Sequence, residues 1–358
     1  MGEEIEKFLN KQASILDATI EKYIPRKFKK TSTVFVLSPP KYGYDLTALD
    51  KAISEPIWEF LGRGGKRWRP ALFLLICEAL GTNSRDFLDF AIIPEVIHNG
   101  TLMVDDIEDS SELRRGKPCT YRIFGVDIAI NAGNAMYFLP LLAVIKNKNK
   151  LTTDRRNRLY EVYIEEMVNI SFGQAMDIAW HRGMANADGI TERHYLQMCA
   201  YKTGTLARMA ARMAAVVAGA NEDLTEKLGR FAESIGIAFQ MQDDVLDLTS
   251  NEFGEKKGAI GMDISEGKRT LMVIHTLEKA NSKDKKRLVE ILNAHTNDQK
   301  LRDEAIHIMK KYDSIEYTKQ TARKLVQQSW NQVDKLMKPS DAKEKLRVFA
   351  TYLIERKI

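Results

Sequence analysis

Apolar positions recur at helical spacing along nearly the whole chain, and polar stretches fall where turns would separate the helices. Residues 3–23 open the pattern, with Ile5, Phe8, Leu9, Ile15, Leu16 and Ile20 at helical intervals. A basic connector with prolines then runs to about Tyr44; residues 33–37 inside it read as a short extended segment, too little to make a sheet. The spacing predicts helices over 45–61, 69–80, 86–104, 127–147, 152–181, 191–218 and 222–250, and four or five shorter, more polar ones after 263. The Gly-rich stretch 62–65 stops the first of these, Pro70 suits an opening helical turn, and Pro140 marks a kink. Small residues crowd 207–220, which allows close helix approach. The expected fold class is all-α: one large helical bundle over 45–358, preceded by an N-terminal helix and basic connector over 1–44.

Composition narrows the function. Apolar residues make up 44% of the 358, enough for a sizeable core, and the net charge of +5 is dispersed apart from the basic run 26–30. No nucleic-acid-binding module is recognisable. Cys77, Cys119 and Cys199 are unclustered, which argues against zinc and against a disulfide framework and suggests buried thiols in a reducing compartment. The acidic start lacks the apolar core of a signal peptide, and no unbroken apolar run reaches about 18 residues. The expectation is a cytoplasmic protein with no integral membrane segment.

The chemistry is concentrated in two acidic clusters. The apolar helix over 86–104 leads into Asp105, Asp106, Glu108 and Asp109. At about 100° per residue, Asp105 and Asp109 share a face and Asp106 lies a step around it. The helix over 222–250 repeats the arrangement with Asp243, Asp244 and Asp247. Oxygen-only ligands favour Mg²⁺, which accepts a few carboxylates when substrate phosphate and water complete its shell. A di-iron site would need Glu-x-x-His pairs, which these helices lack. Cations are spread through other segments: Lys66, Arg67 and Arg69 after the glycine loop, Arg114 and Arg115, and Lys202 beside Thr203. Acids, separate cations and apolar helices together describe a site for diphosphates with hydrocarbon tails.

In these motifs, roughly over residues 58–272, the sequence resembles the trans-prenyltransferases, the isoprenyl diphosphate synthases, and among them most resembles geranylgeranyl diphosphate synthases. The resemblance implies the isoprenoid synthase fold with a central cleft. It also implies a homodimer and Mg²⁺, three ions per active site, held by Asp105, Asp106, Asp109, Asp243, Asp244 and Asp247. It places isopentenyl diphosphate on Lys66, Arg69, His98 and Arg115. The allylic diphosphate (dimethylallyl, geranyl or farnesyl) falls to Arg114, Lys202 and Lys268, with Thr203 and Gln240 steadying the carbocation. Gln174, Asp177 and Asp263 match further motif positions. The small Gly100 and Thr101, just before the first cluster, would leave room for a long product. The family usually has a basic residue just before Gly261; this chain has Gly258, Ala259 and Ile260 there, with Lys256 and Lys257 upstream. Competing expectations are a farnesyl or longer-chain polyprenyl synthase and a non-catalytic subunit of a heteromeric synthase. A terpene cyclase is disfavoured by the second aspartate cluster and by the Lys66, Arg69 and His98 set.

Overall fold

The computed structural model describes residues 2–31, 40–186, 189–250 and 259–355. The expected extended segment at 33–37 and Lys256 and Lys257 lie outside them. Two compact units are distinguished: 1–162 with 210–225 and 338–346, and 163–209 with 226–337 and 347–358.

The first unit is built around one long helix. Its main helices are α1 (Gly2–Glu21), α2 (Glu55–Leu61), α3 (Trp68–Ala79), α4 (Leu88–Glu108) and α5 (Val126–Phe138). From residue 89 to 97 every residue of α4 is buried, so it is covered on all sides, with α1, α3 and α5 packed against it. Pro94 lies inside α4 without ending it. Gly100 explains how closely α5 approaches: a Cβ there would lie 2.7 Å from the Gly133 carbonyl oxygen and 2.8 Å from Met136 Cβ. Between α4 and α5 a hairpin pairs β1 (Leu113–Arg114) with β2 (Lys117–Pro118). Its two loop residues, Arg115 and Gly116, have φ of 55° and 73°, the pairing a type I′ turn demands.

The chain continues through α6 (Thr153–His181), α7 (Glu192–Cys199), α8 (Thr205–Ala218) and α9 (Glu222–Thr249), of which α6, α8 and α9 contribute residues to both units. The second unit is completed by α10 (Leu271–Lys279), α11 (Ser282–Asn293), α12 (Gln299–Lys311), α13 (Ser314–Val333) and most of α14 (Asp341–Glu355). Its core gathers Val245 and Leu248 of α9, Met272 and Val273 of α10, and Leu288, Leu292 and Met309. A π turn, Ala200–Gly204, separates α7 from α8 where the sequence suggested one interrupted helix. As expected, Pro140 breaks the helix after α5 into a 3₁₀ turn, Leu139–Leu141.

The three cysteines are buried and free. Ser84–Glu108 and Val126–Lys146 are each long and apolar enough, by length and composition, to cross a membrane. Scattered Asn, Gly and Thr break the apolar runs without lowering their mean hydropathy enough to exclude them. The first span is 67% buried, as a core helix would be; the second is 39% buried.

Candidate active site

In the first unit the site begins at the loop 62–67, whose backbone is set by sequence. Gly64 and Gly65 have φ of 84° and 143°, which glycine tolerates, and Arg67 is left-handed at 48°. That conformation costs a residue with a side chain about 1–3 kcal/mol, so something must hold it. The Arg67 guanidinium does so, donating to Glu95 Oε1, Asp17 Oδ1 and the Leu61 carbonyl, each at 3.1 Å. Lys66 and Arg69 flank it, and the Arg69 guanidinium lies over the Trp68 ring at 4.4 Å.

Along α4 and at its C-terminal cap, one set of partly open residues forms a stripe, with Val104, Ile107 and Glu108 partly open beside it. His98, Thr101, Leu102, Asp105 and Asp109 recur at helical spacing, while Asn99, Gly100, Met103 and Asp106 are buried. The hairpin aims its two arginines differently. Arg114 binds Asp106 Oδ1 through Nη2 at 2.5 Å and lies 3.5 Å from Asp105. Arg115 reaches the Gly64 carbonyl at 2.5 Å and Asn99 Oδ1 at 3.2 Å.

Electrostatics give this region its character. Burial pushes the Asp106 carboxyl up, opposed by Arg114. Burial also works against the Arg114 charge, but Asp106 and Asp105 more than offset it and hold the guanidinium above its usual value. Arg115 is the opposite case, lowered to about 10 by burial, with Arg67, Arg114 and Arg63 adding to the effect and Glu95 opposing it. His98 is held well below its usual value, by burial first and then by Arg69, Arg115, Arg114 and Arg67. The region carries a surplus of positive charge, and an anion would relieve it.

In the second unit the π turn carries Lys202 and Thr203, and glycines on two helices clamp it. A Cβ on Gly173 of α6 would lie 2.3 Å from the Lys202 nitrogen, and one on Gly236 of α9 would lie 2.6 Å from Gly204 Cα. Lys202 Nζ meets Asp177 Oδ2 at 2.5 Å. Thr203 donates to Gln240 Oε1 at 2.9 Å; Gln240 Nε2 and the Tyr195 hydroxyl each donate to Asp244 at 2.8 Å. Arg208 forks onto both oxygens of the buried Glu166 at 2.8 and 2.7 Å and also pairs with Glu233, bracing α6, α8 and α9. Lys268 pairs with Glu266 and lies 3.8 Å from Asp263. An open cleft is lined by Asp177, His181, Lys202, Gln240, Asp244 and Lys268 among others.

The structure sorts the six expected metal ligands. Asp105, Asp109 and Asp243 are partly open. Asp106 (0% exposed), Asp244 (4%) and Asp247 (0%) are buried on Arg114, on Tyr195 with Gln240, and on the Asp263 backbone N–H respectively. Among the described residues no three or more His, Cys, Asp or Glu side chains form a ready-made metal cage. Thr101 lies on the open stripe with Asp105, whereas Gly100 packs on α5. Sequence reasoning missed Asp17, Glu95, Asn99, Tyr195, Glu166 and Arg208. A signal existed for Glu95 and Asn99, polar residues within an otherwise apolar helix; Asp17 and Tyr195 carried none.

The chain is similar to several known proteins. A sequence model of the family described as polyprenyl synthetase matches residues 50–309. A short chain isoprenyl diphosphate synthase of Methanothermobacter thermautotrophicus is 36% identical over 293 residues, 82% of this chain and 87% of that protein. The geranylgeranyl diphosphate synthase of Methanosarcina mazei is 33% identical over 294 residues, 82% of this chain and 86% of that one. The crystal structure of geranylgeranyl pyrophosphate synthetase from Pyrococcus horikoshii superposes with a TM-score of 0.83 at 30% identity, covering 99% of each chain.

Proposed function

The chain belongs to the polyprenyl synthetase family, and from that premise we propose that it condenses isopentenyl diphosphate with an allylic diphosphate, ending at geranylgeranyl diphosphate. The observation that carries this reading is the cationic region around His98, where the hairpin sets Arg115 on the Gly64 carbonyl and on Asn99, against the loop that carries Lys66 and leads to Arg69. A diphosphate supplies the missing charge. Lys66, Arg69, His98 and Arg115 bind isopentenyl diphosphate there, and orientation toward the allylic carbon supplies much of the rate. Arg114, Lys202 and Lys268 take the allylic diphosphate.

The allylic carbon–oxygen bond breaks, leaving a carbocation and diphosphate. The isopentenyl double bond then attacks the cation to form the new carbon–carbon bond, and a proton leaves for the released diphosphate. No protein base is required. The Thr203 and Gln240 oxygens steady the cation by their dipoles, and apolar surroundings keep water from it. The donor set suits magnesium: all oxygen, with Asp105, Asp109 and Asp243 open enough to bind. Bound there, Mg²⁺ supplies positive charge to the departing diphosphate. Asp106, Asp244 and Asp247, expected as ligands, serve in this reading as braces, holding Arg114, Gln240 and the 261–263 turn.

A twenty-carbon product is supported by the relatives named for it and by Thr101 on the open stripe, with Gly100 acting by letting α5 approach. A homodimer is supported by the apolar faces left exposed: Val126, Ile130 and Phe138 on α5, and Ile164, Val168 and Phe172 on α6. Exposed apolar side chains grouped along one helix mark a surface that a partner could cover. The test is turnover of labelled isopentenyl diphosphate by the purified chain with farnesyl diphosphate and Mg²⁺. Diphosphate release in step with isopentenyl consumption, abolished by a chelator, is expected. A pure chain that is inactive alone, and active only with a second subunit, would instead make it the non-catalytic member of a heteromeric enzyme.

A further inference from the structure

Residues 1–44 play no part in the reaction as described, yet α1 is tied to the loop assigned to isopentenyl diphosphate. The tie is a continuous hydrogen-bonded network with a buried centre. Asp17 of α1 accepts from Arg67 at 3.1 Å, and Arg67 donates to Glu95 at the same distance. Asn99, one turn along α4, donates to Glu95 Oε1 at 3.1 Å and to the Glu95 carbonyl at 2.8 Å. With both its N–H groups committed, the amide can turn only its oxygen outward, and that oxygen receives Arg115. Arg115 in turn holds the Gly64 carbonyl.

The loop is therefore pinned at its start, middle and end, at Leu61, Gly64 and Arg67, by two guanidiniums that both depend on Glu95 and Asn99. Arg67 is 3% exposed, Glu95 2% and Asn99 0%, so none of them can reach a substrate phosphate. They act on the residues that do. We propose that Asp17, Arg67, Glu95 and Asn99 are positioning residues for Lys66, Arg69 and Arg115, and that the N-terminal helix is thereby a working part of the isopentenyl diphosphate site. This rests on the substrate assignment made above; the pinning of the loop does not.

The test uses the full chain with Asp17→Asn and Glu95→Gln, which keep shape and remove charge. Asp17 is 37% exposed at its side chain, so its variant folds even where Glu95→Gln proves fragile. Isopentenyl KM should rise about 3–10-fold in Asp17→Asn and about 10–100-fold in Glu95→Gln, with the farnesyl diphosphate KM within about twofold. Asp17→Glu should recover part of the loss. Hydrogen exchange at residues 62–67, read without substrate, should speed up in both variants. Wild-type exchange and wild-type isopentenyl KM in folded variants would overturn the proposal, as would equal losses in both substrates' KM. Faster loop exchange in a protein that never consumes isopentenyl diphosphate would sustain the pinning and overturn only the substrate assignment.

Discussion

Replacing Gly173 with Ala puts a methyl group where the structure has backbone. The added Cβ would stand 2.3 Å from the Lys202 nitrogen, 2.5 Å from the Tyr201 carbonyl carbon and 2.8 Å from Lys202 Cα. Ordinary contact begins near 3.4 Å, so the π turn and α6 must part by about 1 Å, on the steep side of the van der Waals well. Neither partner is a flexible side-chain end, and the turn is held on its other side by Gly236. Overpacking of this kind costs about 1–3 kcal/mol, a fall of a few degrees in melting temperature. The catalytic cost is larger, because the displaced residues are Lys202 and Thr203. A shift of about 1 Å in groups that orient the reacting diphosphate and cation lowers kcat about 100-fold. The assay is steady-state condensation with both substrates varied, beside a thermal melt. The isopentenyl KM should stay within about twofold, since its cations lie on other elements. A Gly173→Ala enzyme with wild-type kcat and melting temperature would refute the claim that the glycine exists to admit the turn.

Thr101→Phe, on the open stripe of α4, should shorten the product to fifteen carbons or fewer by chromatography of dephosphorylated products; Gly100→Ala should chiefly lower the melting temperature, because its methyl meets Gly133 and Met136. Folded His98 titrates below 6.5 while the unfolded residue does not, so its stabilising contribution is complete above pH 6.5 and lost as pH falls toward the folded value. Urea melts of His98→Asn should accordingly lose stability less steeply than wild type between pH 6.5 and about 5. Phe138→Glu, at a position 66% exposed on α5, should convert a sedimenting dimer to monomer; an unchanged dimer would place the interface elsewhere.

The all-α isoprenoid synthase fold was legible in the sequence because apolar residues at helical spacing continue almost without a break, and the motifs carried the family. What was not legible follows from how side chains find partners across the fold. Helical spacing set Asp106 a step around from Asp105 and Asp109, but did not show that it is buried on Arg114, a partner supplied by strand β1 of the hairpin that follows. Lys202 and Thr203 read as an interrupted helix; that the interruption is a π turn depends on Gly173 and Gly236, which lie 29 and 33 residues away on other helices. Asp17 gave no signal, since its role exists only once α1 packs beside Arg67.

The central claim, a synthase that stops at twenty carbons, is tested most directly by the products. The purified chain, given Mg²⁺, excess labelled isopentenyl diphosphate and in turn dimethylallyl, geranyl and farnesyl diphosphates, should accumulate geranylgeranyl diphosphate from every starter it accepts. Accumulation of farnesyl diphosphate, of chains beyond twenty carbons, or of a cyclised hydrocarbon with isopentenyl diphosphate left unused would contradict it.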